Sequence, residues 1–369
     1  MNKLDKIESA TYNMIGENWN PGDTSASQIN YSFVKEYNNP SDTTIGAKFV
    51  LLNKADTLKP VFCYDGQMRA LFNNDKKGII IDSFTVRKLP FRALTPPFFN
   101  YVTNIVTYAL TSQGSISLEM KEQKNDIYVR LTINEDKQVE FFGKAYHIPT
   151  PPFDIGDPTS IYELWIDKKT DLPYKVRREM SHNISVTTCQ DTEFNKLDIK
   201  DFKASDYFLS DYEIRPYGYR QADNKKNALI NHKASTWRLQ TVNNQYVSLS
   251  DFKSKVLMIQ FTSVSCGPCK ASIPFLKELH KDYRIADFDF VAIESTSNNT
   301  NVLKNYMERN KFDYKFLLST KDVLKDYSIK SYPVFFILDE NRVVKEVING
   351  YGKGTTDNKI RTVIDELIN

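Results

Sequence analysis

The run KVLMIQFTSVSCGPCKASIP, Lys255 to Pro274, constrains this chain more than any other stretch. Val256 to Phe261 is almost continuously apolar, as expected of a strand buried on both faces. Two cysteines, Cys266 and Cys269, follow directly, with Gly267 and Pro268 between them. Proline suits the first turn of a helix, where its missing N–H costs nothing. The order therefore predicts a strand that passes into a helix, with Cys266 at the helix mouth. Unpaired backbone N–H groups and the positive end of the helix dipole favour a thiolate there. Cys269 falls one turn later on the inner side, placed to close a ring with Cys266. A reachable, ionised sulfur followed by a shielded partner is what thiol–disulfide exchange requires.

The surroundings extend this pattern. WRLQTVNNQYVSLSDF reads as a hairpin around Asn243–Asn244, and FDFVAIES as a second buried strand. NTNVLKNYMERN is a helix, YKFLLS a strand and TKDVLKDYS another helix. PVFFILDENRVVKEVI turns back on itself at Glu340–Asn341, and NKIRTVIDELI closes the chain as a helix. Continuous apolar strands alternating with helices imply an α/β sheet covered on both faces.

The preceding half has another period. From about Ile29 to Tyr217 the chain reads as successive strands: SQINYSFVKEY, TTIGAKFVLL, KPVFCYDG, KGIIIDSF, SISLEMKE, DIYVRLTIN, VEFFGKAYHI, IYELWID, YKVRREM and ISVTTCQDTEF. They alternate or are rich in β-branched and aromatic residues, with Asn, Asp, Gly and Pro between them. Short polar connections imply an antiparallel meander. One segment differs, PPFFNYVTNIVTYALTSQ from Pro96 to Gln113. Its opening prolines, and Phe99, Val102, Ile105, Val106 and Leu110 near helical spacing, predict a helix against the sheet. Apolar periodicity then lapses, so the chain divides into a β-rich domain over 1–217, a linker over 218–229 and a second domain over 230–369.

A chain of 369 residues with 41% hydrophobic residues is long enough for two packed cores. Its 49 basic and 46 acidic residues nearly balance, without the clustered cationic surplus that nucleic acid requires. No run approaches the length of a membrane helix. The opening MNKLDKIESATYNMIGENWNPGD lacks the apolar core of a secretory signal, so the protein is either cytoplasmic or stripped of a targeting segment. The other cysteines, Cys63 and Cys189, fall on predicted strands, either bridging the sheet or standing as small core residues. No second CxxC or histidine pair accompanies Cys266 and Cys269. His147, His182, His232 and His280 are scattered, so no metal site is expected.

CGPC, the following Lys270 and Pro274 resemble thioredoxin, and SYPVFFILDENRVV resembles the thioredoxin loop whose cis-proline faces the redox pair, with Pro333 at that place. The leading hairpin and the β-α inserted before Pro333 resemble the TlpA/ResA-type envelope thiol-disulfide reductases. This resemblance covers about Asn231 to Asn369. It implies a thioredoxin-like fold, Cys266 as nucleophile and Cys269 as resolving thiol. Tyr332, Pro333, Gly267 and Pro268 would line the substrate site. The only redox group would be the Cys266–Cys269 disulfide, with no metal or organic cofactor. Disulfide-bearing proteins would be the substrates, an upstream thiol the reductant, and the periplasm or cell envelope the compartment, reached through a precursor with a signal or membrane tether. A peroxiredoxin would need Pro-x-x-x-Thr-x-x-Cys, and Thr262 has no such setting.

Three positions depart from the family. Gln260 stands where thioredoxin buries an aspartate, Ser265 where an aromatic precedes the first cysteine, and Ser272 where ResA-type members place a glutamate. Glu294 at the end of the next strand is either a proton-transfer group or a plain surface carboxylate. In the first half, YELWIDKKTDLPYKVRREM resembles the hairpin of the LolA-like lipoprotein-carrier fold, where a Trp-Ile-Asp strand meets a Leu-Pro turn. That resemblance implies an antiparallel half-barrel that holds acyl chains; the alternative is a sheet filled by its own helix. The sequence thus leaves open an oxidoreductase, a lipid or client carrier with an auxiliary redox domain, and a first domain serving as a dimer contact.

Overall fold

A computed structural model describes residues 3–84, 96–148, 157–181, 183–197, 202–218 and 228–369. Most of the expected linker and His182 lie outside the described residues. Over these residues the chain forms two compact units. One takes 3–21, 29–148 and 157–218; the other takes 22–28 together with 228–369.

The first unit is mostly sheet. Its strands are β1 Ser9–Trp19, β2 Gln28–Asn38, β3 Ala47–Asn53, β4 Asp56–Tyr64, β5 Arg69–Asn73, β6 Gly78–Asp82, β7 Ile116–Glu122 and β8 Asp126–Ile133. They continue with β9 Gln138–Phe141, β10 Ala145–Ile148, β11 Ser160–Asp167, β12 Leu172–Met180, β13 Asn183–Phe194 and β14 Glu213–Pro216. Twelve form one sheet in the order β14-β6-β5-β4-β3-β2-β1-β13-β12-β11-β8-β7, and the described strands close no barrel. β14 runs parallel to β6, while β1 on β13, β2 on β3, β3 on β4, β4 on β5, β5 on β6 and the strands from β13 to β7 pair antiparallel. One helix, α1 Phe98–Thr111, buries Phe98, Phe99, Val102 and Ile105 in the core with Tyr12, Val34, Phe49 and Tyr162.

Pro97 caps α1 without a side-chain bond. The orphan N–H groups are met instead from the sheet: Phe98 N donates to Tyr12 Oη at 2.8 Å, and Phe99 N and Asn100 N donate to Glu36 at 3.1 and 2.7 Å. Tyr12 Oη donates to the same carboxylate at 2.9 Å. Burial raises the Glu36 carboxyl to about 7, against those three bonds.

Several expectations are corrected here. Ser9–Trp19, unread in the sequence, is β1 at the centre of the sheet, paired with β13, and it alternates buried Ala10, Tyr12 and Met14 with half-buried residues. VEFFGKAYHI is a hairpin, not one strand, because Gly143 turns the chain at φ +74°; a Cβ there would meet the Ile45 carbonyl oxygen at 2.3 Å. Glu213–Pro216 is a strand despite its polar sequence, since its backbone pairs with β6 at the sheet edge. Leu110, expected on the buried face of α1, is 65% exposed.

The second unit holds β15 Arg238–Thr241, β16 Tyr246–Ser248, β17 Val256–Thr262, β18 Phe288–Glu294, β19 Lys315–Leu318, β20 Val334–Leu338 and β21 Val344–Asn349. They form a seven-stranded sheet in the order β16-β15-β19-β18-β17-β20-β21. β17, β18 and β19 run parallel, and β20 is antiparallel to β17. The helices are α2 Gly267–Asp282, α3 Thr300–Asn310, α4 Lys321–Asp326 and α5 Thr355–Ile368. Met258, Phe290, Phe335 and Ile337 face one core with Leu276, Leu279, Leu303 and Ile360. The alternate residues Leu257, Ile259, Phe261, Ile293 and Phe336 face another with Trp237, Phe252, Val323 and Tyr327. Both faces being covered explains the unbroken apolar runs.

Candidate active site

β17, β18 and β20 bring three elements to one end of the second sheet. Thr262, last in β17, pairs with Glu294, last in β18, while Phe261 pairs with Val334, which follows Pro333. The turn leaving β17 therefore lies between the β18 terminus and the loop entering β20.

That turn carries the cysteines. Cys266 N donates to the Ser263 carbonyl at 3.0 Å, closing it. Cys266 is extended (φ −92°, ψ 116°) and is the N-cap of α2; its Sγ accepts from Cys269 N at 3.2 Å. A sulfur thus takes the place that a serine or aspartate oxygen usually fills. Gly267 and Pro268 form the first helical turn, and Pro274 sits inside the helix. The two cysteines are joined as a disulfide with Cα atoms 5.3 Å apart. Cys266 is half-exposed, whereas Cys269 is 1% exposed. The asymmetry between a reachable and a shielded sulfur is thereby present.

Of the residues that depart from the family, Gln260 on β17 and Ser272 in α2 meet in the interior. Gln260 and Ser272 are both buried and bonded to each other, Nε2 to Oγ at 3.1 Å, and Ser272 Oγ donates to the Cys269 carbonyl at 2.7 Å. Ser265 is exposed. Lys270 is set into the unit: burial pushes its ammonium down to about 8, Arg309 adds to the fall and Asp23 opposes it. Asp23, in segment 22–28 of this unit, pairs with Arg309 at 2.6 Å.

The Tyr332–Pro333 peptide bond is cis, Pro333 is buried and Tyr332 half-buried. The Pro333 carbonyl accepts from Gly350 N at 2.8 Å. Burial raises the Tyr332 phenol, a hydroxyl bond from Ser295 opposing and the Glu294 charge adding.

Glu294 is no surface carboxylate: it is 2% exposed. Its Oε2 accepts from Val264 N at 2.9 Å, and its Oε1 from Thr296 N, Thr296 Oγ1 and Ser297 N at 2.8, 2.7 and 2.9 Å. Burial raises this carboxyl, while those bonds pull it down. Sequence reading missed Ser263 and Thr296, which join the same network; small hydroxyl residues at strand ends carry no signal of their own.

Cys63 and Cys189 are free, buried and in separate clusters, far from the redox pair in the chain. Cys63 Sγ lies 3.7 Å from the Ala204 carbonyl.

Comparison with known proteins agrees with this half of the molecule. The Redoxin family model matches residues 229–364. The thioredoxin-like protein YneN of Bacillus subtilis (strain 168) is 29% identical over 118 residues, 31% of this chain and 68% of that protein. The thiol-disulfide oxidoreductase ResA of Bacillus cereus (strain ATCC 10987 / NRS 248) is 24% identical over 136 residues, 36% of this chain and 76% of that one. Among solved structures, a thioredoxin-family thiol:disulfide interchange protein from Chlorobium tepidum TLS is 22% identical, with a TM-score of 0.34, over 37% of this chain and 96% of that one. Residues 229–364 are a thioredoxin-like, redoxin-type domain, and the chemistry this chain carries there is that of a thiol-disulfide oxidoreductase.

Proposed function

We propose that the protein is a disulfide reductase for protein substrates outside the cytoplasm. In its reduced form the Cys266 thiolate attacks one sulfur of a substrate disulfide, forming a mixed disulfide and releasing the other substrate sulfur as a thiolate. Cys269, losing its proton, then attacks Cys266 Sγ and releases the second substrate thiolate. Two substrate thiols and the Cys266–Cys269 disulfide result. A dithiol partner upstream returns the pair to its reduced form. Gly267, Pro268, Tyr332 and Pro333 are the residues we assign to substrate docking. The substrate backbone would lie along the loop before β20 as an added strand. The observation that carries this reading is a half-exposed sulfur at a helix N-cap, bonded to Cys269 N–H, above a buried partner sulfur. The extracytoplasmic setting rests on the likeness to envelope reductases. Among the described residues no helix is long and apolar enough to cross a membrane.

Insulin reduction driven by dithiothreitol tests the activity. Wild type is expected to precipitate the insulin B chain well ahead of Cys266→Ser, which should match the uncatalysed rate. Equal rates for the two would remove the enzyme reading.

We read the first unit as a LolA-like scaffold filled by its own helix. Four apolar residues of α1 are buried against the sheet, in the place an acyl chain would need. Mass spectrometry of the gently purified protein is expected to give the mass of the bare chain. A stoichiometric acyl adduct would restore the carrier reading.

A further inference from the structure

We propose that Glu294 is the positioning residue of the redox turn, holding the backbone that presents Cys266 through its bond to Val264 N–H and through three linked hydroxyls, those of Thr296, Ser263 and Ser265. This rests on the exchange role proposed above for Cys266.

With Glu294 as a carboxylate, which can only accept, the hydrogen bonds take one direction. Thr296 Oγ1 gives its proton to Glu294 Oε1 at 2.7 Å. Its contact with Ser263 Oγ at 2.7 Å must then be accepted by Thr296 and donated by Ser263. With its own proton committed, Ser263 Oγ accepts from Ser265 Oγ at 3.0 Å and from Ser265 N at 3.3 Å. Every proton in the line points toward the carboxylate. Serine and threonine hydroxyls each have one proton to give, so reversing any link would strand a donor elsewhere. Meanwhile Val264 N reaches Oε2 at 2.9 Å. All three residues between β17 and Cys266 are therefore tied, directly or through hydroxyls, to one buried side chain on the neighbouring strand.

The carboxylate form is what this pattern needs. Four donors converge on two oxygens, and a carboxylate offers acceptors only. The other titratable groups facing it are the phenols of Tyr306 on α3 and Tyr332 before Pro333. Burial raises both, so both are neutral near pH 7 and neither supplies a competing charge. The turn they share ends at Cys266, whose sulfur is stabilised as a thiolate only while it sits at the N-cap of α2. A loosened turn lets that sulfur leave the N–H groups that favour its ionisation.

Glu294→Gln separates positioning from charge. A glutamine oxygen can accept the three bonds from Thr296 and Ser297, but its amide then faces Val264 N–H, donor against donor. In the reduced full-length protein, the Cys266 thiol pKa is read from the pH dependence of iodoacetamide labelling, with the labelled peptide quantified by mass spectrometry. The expected result is a rise of about one unit, and hence about tenfold slower labelling at pH values below both pKa values. Loss of a merely repelling negative charge would lower the pKa and speed labelling. A purely structural glutamate would lower the melting temperature and leave the thiol unchanged. Either of those results overturns the proposal. Should Glu294→Gln not fold, the hydroxyl line is tested at Thr296: Thr296→Ser should match wild type and Thr296→Val should slow labelling, and equal rates for the two would likewise overturn it. Labelling is independent of turnover, so a wild type that fails to reduce insulin would sink the functional reading while leaving this measurement intact.

Discussion

Gln260 Nε2 donates to Ser272 Oγ at 3.1 Å, and through Ser272 it reaches the carbonyl of Cys269. Position 260 and position 272 are the two places where this chain replaces an expected acid with a neutral group. The replacements are coupled: one amide and one hydroxyl bond each other in a buried site, where a lone carboxyl would have been costly. Gln260 cannot accept the Cys269 proton, so the resolving step lacks a base at this position. Gln260→Glu is expected to speed decay of the mixed disulfide about tenfold or more above neutral pH, as a placed general base does. It should also lower stability by about 1–3 kcal/mol, the cost of burying the new group. Stopped-flow tryptophan fluorescence on single turnovers reads the first effect, and an unchanged decay rate would show that resolution draws its base from elsewhere.

Reactivity should separate the four cysteines sharply. Burial pushes the Cys63 thiol up to about 12 and raises Cys189 well above the ordinary range. Cys269, in the first turn of α2, is buried. Cys266 at the N-cap is expected to be the most acidic of the four once reduced. Brief labelling of the reduced native protein at pH 7 should therefore place one iodoacetamide adduct per chain, on the peptide containing Cys266. Comparable labelling of Cys63 or Cys189 would mean that the first unit opens on the labelling timescale.

Much of the second unit was legible because its signals are local. Val256 to Phe261, the Gly-Pro between the cysteines and the Asn243–Asn244 turn each specify their own structure, and the observed elements fall where these residues put them. The first unit was read less completely. β1 was overlooked because SATYNMIGENW buries its small or polar-tipped residues, Ala10 and Tyr12, in place of a plain apolar alternation. β14 has no side-chain pattern at all and exists through backbone pairing with β6, which local sequence cannot announce. At the site, the cysteines and Pro333 were readable as motifs. Glu294 was seen but its environment was not, since burial of a strand-end carboxylate depends on the turn from another strand that folds over it. Ser263 and Thr296 gain their meaning only from the distance between them.

The hairpin that broke an expected strand offers a sharp stability test. Gly143 has φ +74°, and a Cβ placed on it would lie 2.3 Å from the oxygen and 2.4 Å from the carbon of the Ile45 carbonyl. Backbone, not a movable side chain, is in the way. Gly143→Ala is expected to cost about 2 kcal/mol or more, from the left-handed conformation and the forced separation together. Urea unfolding followed by circular dichroism measures it. A loss below about 0.5 kcal/mol, the range of ordinary surface changes, would mean that β9 and β10 shift freely away from Ile45.

Glu36 makes the first unit sensitive to pH in a direction opposite to most carboxylates. Its carboxyl is raised from 4.5 to about 7, chiefly by burial, although Asn100 N–H, Phe99 N–H and Tyr12 Oη all bond to it. The other titratable groups facing this cluster are the Tyr12 phenol and the Cys189 thiol, both raised and so neutral at pH 7. A raised pKa means that the folded chain binds this proton more tightly than the unfolded chain. The corresponding stability is fully present below about pH 4.5, declines as pH rises, and is gone above about 7. The difference amounts to about 3 kcal/mol at 1.36 kcal/mol per unit. Glu36→Gln cannot titrate and keeps an acceptor for the helix N–H groups. The variant should therefore gain on wild type by up to about 3 kcal/mol between pH 4.5 and pH 7.5. Denaturant unfolding of the full chain at the two pH values supplies the comparison. A wild-type-to-variant difference that stays constant across that interval would show Glu36 ionised in the fold throughout, held so by the N-terminus of α1.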